Sequence, residues 1–350
     1  DIIPAEENGF TGTLAIGDRG TLTLGESGET LTMVYAQDQP SISFPTGADD
    51  GTPATLTTQF FMAETEVTNA VVAAVLQWAY DESSFSSSGH NELSTSTVKY
   101  GNQELLDLDD SDCRVNYDGS GTFSPESGYE NNPVTDISWY GSIMICNWLT
   151  EMRDGNTNSV VYNWVDNGDG GGMASNGVWE ADETDEDNTK NGYRLPTSDE
   201  WEYTARYLGT TAPLTGDDLD TERLYGNDDA SWTDSYYWTP WDYASGATDD
   251  YNDMPACQAV AVYAYTSPNP YNDEQEVKSL GSGSENTLGL YDMSGNVWEW
   301  CFTANGSHRI YRGGSWHMDE DYLRVGDWGN NDGPNTTWYA LGFRVCRTAD

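Results

Sequence analysis

Two carboxylates, Asp292 and Glu299, open and close the stretch Asp292-Met-Ser-Gly-Asn-Val-Trp-Glu299, with Gly295 between them. With inward-pointing backbone carbonyls at Gly295 and Val297 they make a set of hard oxygen donors, the kind calcium takes in flexible geometry. The same two residues also read as ordinary turn and cap carboxylates satisfied by backbone amides, and the spacing leaves both readings open. Downstream, Gly313-Gly-Ser-Trp-His-Met-Asp-Glu-Asp-Tyr-Leu-Arg324 offers His317 and Met318 as soft ligands. Neighbouring side chains on an extended segment point to opposite faces, so one metal does not easily use both. With only His90, His308 and His317 in the chain, a three-histidine iron site would need all of them to converge. A Ser-His-Asp grouping can always be chosen from a chain this rich in Ser and Asp, so it carries no information without geometry. No catalytic residue is assigned.

The elements that must position these groups are legible in places. Thr68 can cap a helix whose Val71, Val72, Val75, Leu76 and Ala79 share one face. A second helix is expected from Ser138 to about Met152, and Thr197-Ser-Asp-Glu200 is a capping box opening a third. Period-two alternation in Thr11–Ile16, Thr21–Leu24 and Thr30–Tyr35 reads as short antiparallel strands, and Pro45–Pro53 as a linker. The polar stretch between Asp81 and Asn132, with Asp107-Leu-Asp-Asp-Ser-Asp112, reads as a surface excursion. Asp166-Asn-Gly-Asp-Gly170 lacks the closing glutamate of an EF-hand loop and reads as plain loop.

Composition limits the partners. The 350 residues carry 59 acidic and 14 Lys or Arg side chains, a net charge of -45, so there is no basic stripe for phosphate. Nucleic acid and anionic membrane are excluded on that ground, whereas solubility in brine, cation sites or a basic partner fit. With 14 Trp and 22 Tyr the core is expected to rely on aromatics. No run of 18 apolar residues and no basic-then-apolar leader is present, so neither membrane insertion nor an intact signal peptide is expected. The five cysteines, Cys113, Cys146, Cys257, Cys301 and Cys346, form no CxxC pair, which argues against structural zinc.

Six ordered motifs change the odds: Glu64-Thr-Glu-Val-Thr-Asn69, Asn132-Pro-Val-Thr-Asp-Ile-Ser-Trp139, Gly192–Tyr203, Gly289–Trp300, Arg312-Gly-Gly-Ser-Trp316 and Gly342-Phe-Arg344. From about Phe60 to Arg347 this string resembles the formylglycine-generating enzyme (sulfatase-modifying factor) family. The resemblance implies an α+β, C-type lectin-like fold with long loops. Residues 58–350 would form that domain and 1–57 a β-rich N-terminal extension, either packed on it or serving as an attachment module. It also implies structural calcium at the turn matching Asp292, Gly295, Val297 and Glu299. Some relatives carry a disulfide near Cys146 and Cys346, but Cys346 stands one residue past the matching strand position, which turns its side chain to the other face.

Catalysis in the aerobic members depends on a thiol pair shortly after Gly-Gly-Ser that holds copper, and thiolate is the soft ligand that monovalent copper selects. Gly313–Arg324 contains no cysteine. The segment 317–340 is instead dense in Asn, Gly, Tyr and Trp, a mixture that supplies rigid contact area and adaptable hydrogen bonds. It resembles variable proteins of diversity-generating retroelements, whose diversified segment lies between Gly-Gly-Ser-Trp and Gly-Phe-Arg. The matching patch would be His317, Tyr322, Val325, Asp327, Trp328, Asn330, Asn331, Asp332, Trp338 and Tyr339, while Trp316, Leu323 and Leu341 read as packing. The expectation is a monomeric, non-catalytic protein, extracellular, cell-surface or virion-associated, that binds a protein or glycan ligand. The alternative is a metal-dependent oxidase or sulfur-transfer enzyme related to the same family.

Overall fold

The computed structural model describes residues 14–24, 27–48, 50, 52–82, 92–100, 103–162, 190–210, 236–329 and 331–349. Thr11–Thr13 of the first expected strand, His90, the loop Asp166–Gly170 and Asn330 of the expected surface patch lie outside them.

One five-stranded antiparallel sheet joins the two ends of the chain. Its strands run in the order Arg19–Thr23, Thr30–Gln37, Phe60–Ala63, Cys346–Thr348 and Tyr193–Arg194. Val34 stands opposite Met62, and Met62 opposite Cys346, so the described part of the N-terminal extension adds strands to the main sheet. Pro45–Pro53 is likewise no linker: Ile42–Thr46 pairs with Thr52–Leu56 in a hairpin. Gly, Asp and Pro punctuate both kinds of segment, so turn chemistry alone cannot tell them apart.

Three helices form where capping predicts them. The helix Asn69–Asp81 (α1) is capped by Thr68, whose side chain accepts from the Val71 amide. The helix Trp139–Asp154 (α2) is capped by Ser138 and closed by Gly155 in the left-handed region. The helix Ser198–Arg206 (α3) has the full capping box between Thr197 and Glu200. The polar stretch 81–132 departs from a plain surface excursion. It holds a small sheet of Glu92–Leu93, Thr97–Tyr100 and Gln103–Asp107, and Val98, Leu105 and Leu106 are buried in the core.

The core is aromatic, as expected, with Trp139, Trp201, Trp238 and Trp300 fully buried. It is also threaded with charge. Arg194 holds both oxygens of Glu200 at 2.7 and 2.6 Å. Asp50, Arg206, Glu202 and Arg312 form a buried alternating chain with contacts of 2.5, 3.1 and 2.6 Å. Isolated buried charge is costly, and alternation brings this chain to neutrality. Cys146 is a buried free thiol, so no bridge joins it to Cys346.

Candidate functional site

The C-terminal segment leaves and re-enters the sheet on the two sides of one strand. Trp298–Asn305 pairs antiparallel with His308–Arg312 and parallel with Leu341–Gly342, so Glu299 lies between Arg312 and Gly342. The departing turn needs its glycines. Gly314 has φ +79° and a Cβ there would lie 2.7 Å from the Tyr322 carbonyl oxygen.

Arg312 then fixes the loop. Its guanidinium donates to Ser198 Oγ at 2.9 and 2.8 Å, to Glu202 Oε2 at 2.6 Å, and to the carbonyls of Val325 and Asp327 at 3.2 and 3.0 Å. Farther along, the Tyr311 hydroxyl donates to Asp332 at 2.8 Å, and Tyr311 and Gly329 exchange backbone bonds. Ser294 donates to the carbonyl of Leu323. Loop backbone is thus tied to rigid strands and α3. From the sequence α3 shows only its capping box, and Glu202 does not stand out as the partner of Arg312. The only local signal was the Glu202 and Arg206 pair one helical turn apart.

The ten expected surface residues divide. Tyr322 and Trp328 are among the most exposed large apolar side chains, at 41% and 40%. Asn331 is exposed, and Asp327, Asp332, His317, Trp338 and Tyr339 are half-buried. Val325 is corrected: it is fully buried, part of the core cluster that includes Trp201, because a lone valine in a polar loop is the residue that anchors it. Leu323 and Leu341 pack inward as expected, while Trp316 stays half-exposed.

His317 sits in a ring cluster, its centroid 5.3 Å from each of Trp316, Trp338 and Tyr339. Its Nδ1 lies 3.2 Å from Ser315 Oγ. Burial pushes its pKa down, which favours the neutral ring. These surroundings are aromatic, and no thiol lies on this segment. Cys113, Cys146, Cys257 and Cys301 are buried elsewhere as free thiols, and burial pushes each of their pKa values up, the opposite of an activated thiolate.

Beneath the segment lies the carboxylate turn. Asp292, Gly295 and Asn296 have φ of 56°, 82° and 58°, which curls the backbone inward. Glu66, Asp292 and Glu299 are all buried, with Arg344 buried beside them. Arg344 Nε and Nη2 donate to Glu299 at 2.7 and 2.6 Å, and the Trp201 indole donates to Glu299 Oε2 at 2.7 Å. Oε2 is then fully used, and Oε1 keeps a lone pair. Asp292 accepts the Lys278 amide at 2.7 Å, and Glu66 accepts Asn296 Nδ2 at 3.0 Å and the Val297 amide at 3.3 Å. Burial, outweighing that amide and Arg344, pushes the Asp292 carboxyl up to about 6. Burial, then repulsion from Asp292 and Glu299, raises Glu66 well above the usual range. Three carboxylates thus face one guanidinium, and the donor chemistry fits a hard cation. Among the described residues no group of three or more His, Cys, Asp or Glu side chains is arranged to hold a metal, so main-chain carbonyls would have to complete the shell.

The family model described as "Sulfatase-modifying factor enzyme 1-like domain" matches residues 40–349. The chain belongs to that family. Its fold is similar to that of Treponema denticola variable protein 1, with a TM-score of 0.54 and 23% identity, covering 94% of this chain and 98% of that one. Among curated proteins it is 29% identical over 207 residues to "Chaperone protein LppX" of Paenibacillus barcinonensis, covering 53% of this chain and 60% of that protein. It is 26% identical over 272 residues to "Serine/threonine-protein kinase pkn1" of Chlamydia pneumoniae, covering 71% and 29%. This family member therefore spans under two thirds of the length of either curated relative. The α+β, lectin-like architecture expected from its motifs is the one found.

Proposed function

We propose that this chain is a non-catalytic binding protein whose segment 317–340 recognises a protein or glycan ligand, on a scaffold braced by calcium. The observation that carries this reading is the combination at that segment. Backbone clamped by Arg312 and Tyr311 presents Tyr322, Trp328 and Asn331 outward, with His317, Trp338 and Tyr339 half-exposed. Rigid aromatic area on a fixed backbone lowers the ordering cost of binding. The likeness to a protein named as variable adds the finer reading, a segment diversified by a retroelement, and a recognition role suits a surface-displayed or virion-borne protein.

Calcium, when bound, would supply fixed positive charge against the buried carboxylates. Asp292, the carbonyls of Gly295 and Val297, and Glu299 through Oε1 are the residues that would hold it.

Two measurements test the reading. Metal analysis of the native protein should find calcium and no redox metal; stoichiometric copper or iron with oxygen consumption would overturn it in favour of an oxidase or sulfur-transfer enzyme. The coding DNA downstream should hold a near-copy of the segment for Gly313 to Arg344, differing mainly at adenines, beside a reverse transcriptase gene; its absence removes the diversification reading alone.

A further inference from the structure

The charge around the aromatic face narrows the ligand class. Between His317 and Tyr339 stand five carboxylates, Asp319, Glu320, Asp321, Asp327 and Asp332, against a single arginine, Arg324. That arginine is already committed, lying over the rings of Trp241 and Tyr251 at 5.2 and 4.9 Å and 3.7 Å from Asp327. Asp319 and Asp321 are exposed on either side of Glu320, next to exposed Tyr322.

Acid also flanks the face from two other elements. On one side the amide of Asp136 donates to the Trp338 carbonyl at 3.2 Å, and Asp136 feels the charges of Asp107, Asp110 and Asp112. On the other, Glu320 acts on Cys257 together with Asp249, Asp250 and Asp253. The aromatics therefore sit between carboxylates with no uncommitted cation in the segment. A ring face attracts a cation through its quadrupole, and a neighbouring carboxylate adds to that attraction within a Debye length of about 8–10 Å. A neutral sugar would use the rings and leave the carboxylates unused, and an acidic partner would be repelled.

Resting on the binding reading above, we propose that the face takes a lysine- and arginine-rich segment of a partner protein, its cations lying over Tyr322 and Trp328 and against Asp319 and Asp321. A guanidinium suits the site best, since it stacks on rings and pairs with carboxylates through the same plane. Association should be fast at low salt and slow as salt rises.

The test uses the full chain and a ten-residue peptide alternating arginine and glycine, with a glutamate-glycine peptide and a panel of neutral oligosaccharides as alternatives, all by calorimetry. Bulk attraction to a protein of net charge -45 is separated by variants. Tyr322→Ala with Trp328→Ala, which changes no charge, should weaken the arginine peptide at least tenfold. Asp319→Asn with Asp321→Asn should weaken it about tenfold, whereas the equal charge change Asp81→Asn with Glu82→Gln, at the exposed end of α1, should alter it less than twofold. Circular dichroism of each variant checks that it is folded. If the arginine peptide binds all variants alike, its binding is bulk attraction and the proposal fails. If an oligosaccharide binds instead and depends on Trp328, the binding face stands and the cation class is wrong. If no probe depends on Tyr322 or Trp328, both fail.

Discussion

Replacing Asp136 with asparagine should make the protein more stable at alkaline pH and leave it nearly unchanged at about pH 4 and below. Asp136 is 1% exposed, has φ +55°, and its carboxyl accepts only the Thr135 hydroxyl, at 3.3 Å, among the bonds identified for it. Burial first, then Asp110, Asp112 and Asp107, push its pKa from 3.8 up to about 7, with the Thr135 bond opposing. A carboxyl raised in the folded state holds its proton there more tightly than in the unfolded chain. Its contribution is therefore complete below about pH 4 and is lost as pH climbs through 7. Across that span, at about 1.4 kcal/mol per unit, the loss amounts to about 4 kcal/mol as a ceiling. Asparagine tolerates the left-handed backbone and carries no charge at any pH, so Asp136→Asn removes the penalty without a new strain. Urea unfolding of both proteins at pH 4 and pH 9 should show near-equal stability at the first and a gain of about 2–4 kcal/mol for the variant at the second. A variant that is less stable than the parent at pH 9 would mean that Asp136 is charged and well paired, and the reasoning would be refuted.

Two further outcomes follow from the buried turn. Arg344→Met should cost about 3–5 kcal/mol in urea unfolding, because it strands Glu299 beside Glu66 and Asp292, and Glu299→Met in the same chain should recover part of the loss. Chelated protein titrated with calcium at pH 7.5 should melt progressively higher, by the equivalent of about 2.7 kcal/mol at a hundredfold excess over Kd, and Asp292→Asn should abolish the rise. A melting temperature indifferent to calcium would leave the turn held by Arg344 and the hydrogen bonds from Trp201, Lys278, Asn296 and Val297.

What the sequence disclosed was what is local. Thr68, Ser138 and the Thr197 and Glu200 pair act within one helical turn, so their helices were readable from residue types alone. Asp50 was read as linker because its meaning lies 156 residues away, in Arg206. Leu105 and Leu106 lie in the polar stretch that reads as a surface excursion, and only the pairing of Gln103–Asp107 with Thr97–Tyr100 turns them into core. At the site, motif order marked off the segment and the carboxylate turn in the chain. It could not sort inward from outward side chains, because an irregular loop has no periodicity. Val325 was placed outside for that reason, and the clamp by Arg312 and Glu202 joins residues no local pattern connects.

The two seams on either side of Glu299 bear on how this protein can change. Because the stretch from Gly313 to Ala340 starts and finishes against the same residue of one strand, its endpoints are set by the sheet and not by its own contents. Closure cost grows only slowly with length, so swaps, and even short insertions, should leave the endpoints where they are. Natural or designed libraries built on its exposed positions would spend their variation on contact chemistry, while Leu323 and Val325, which pack inward, stay fixed.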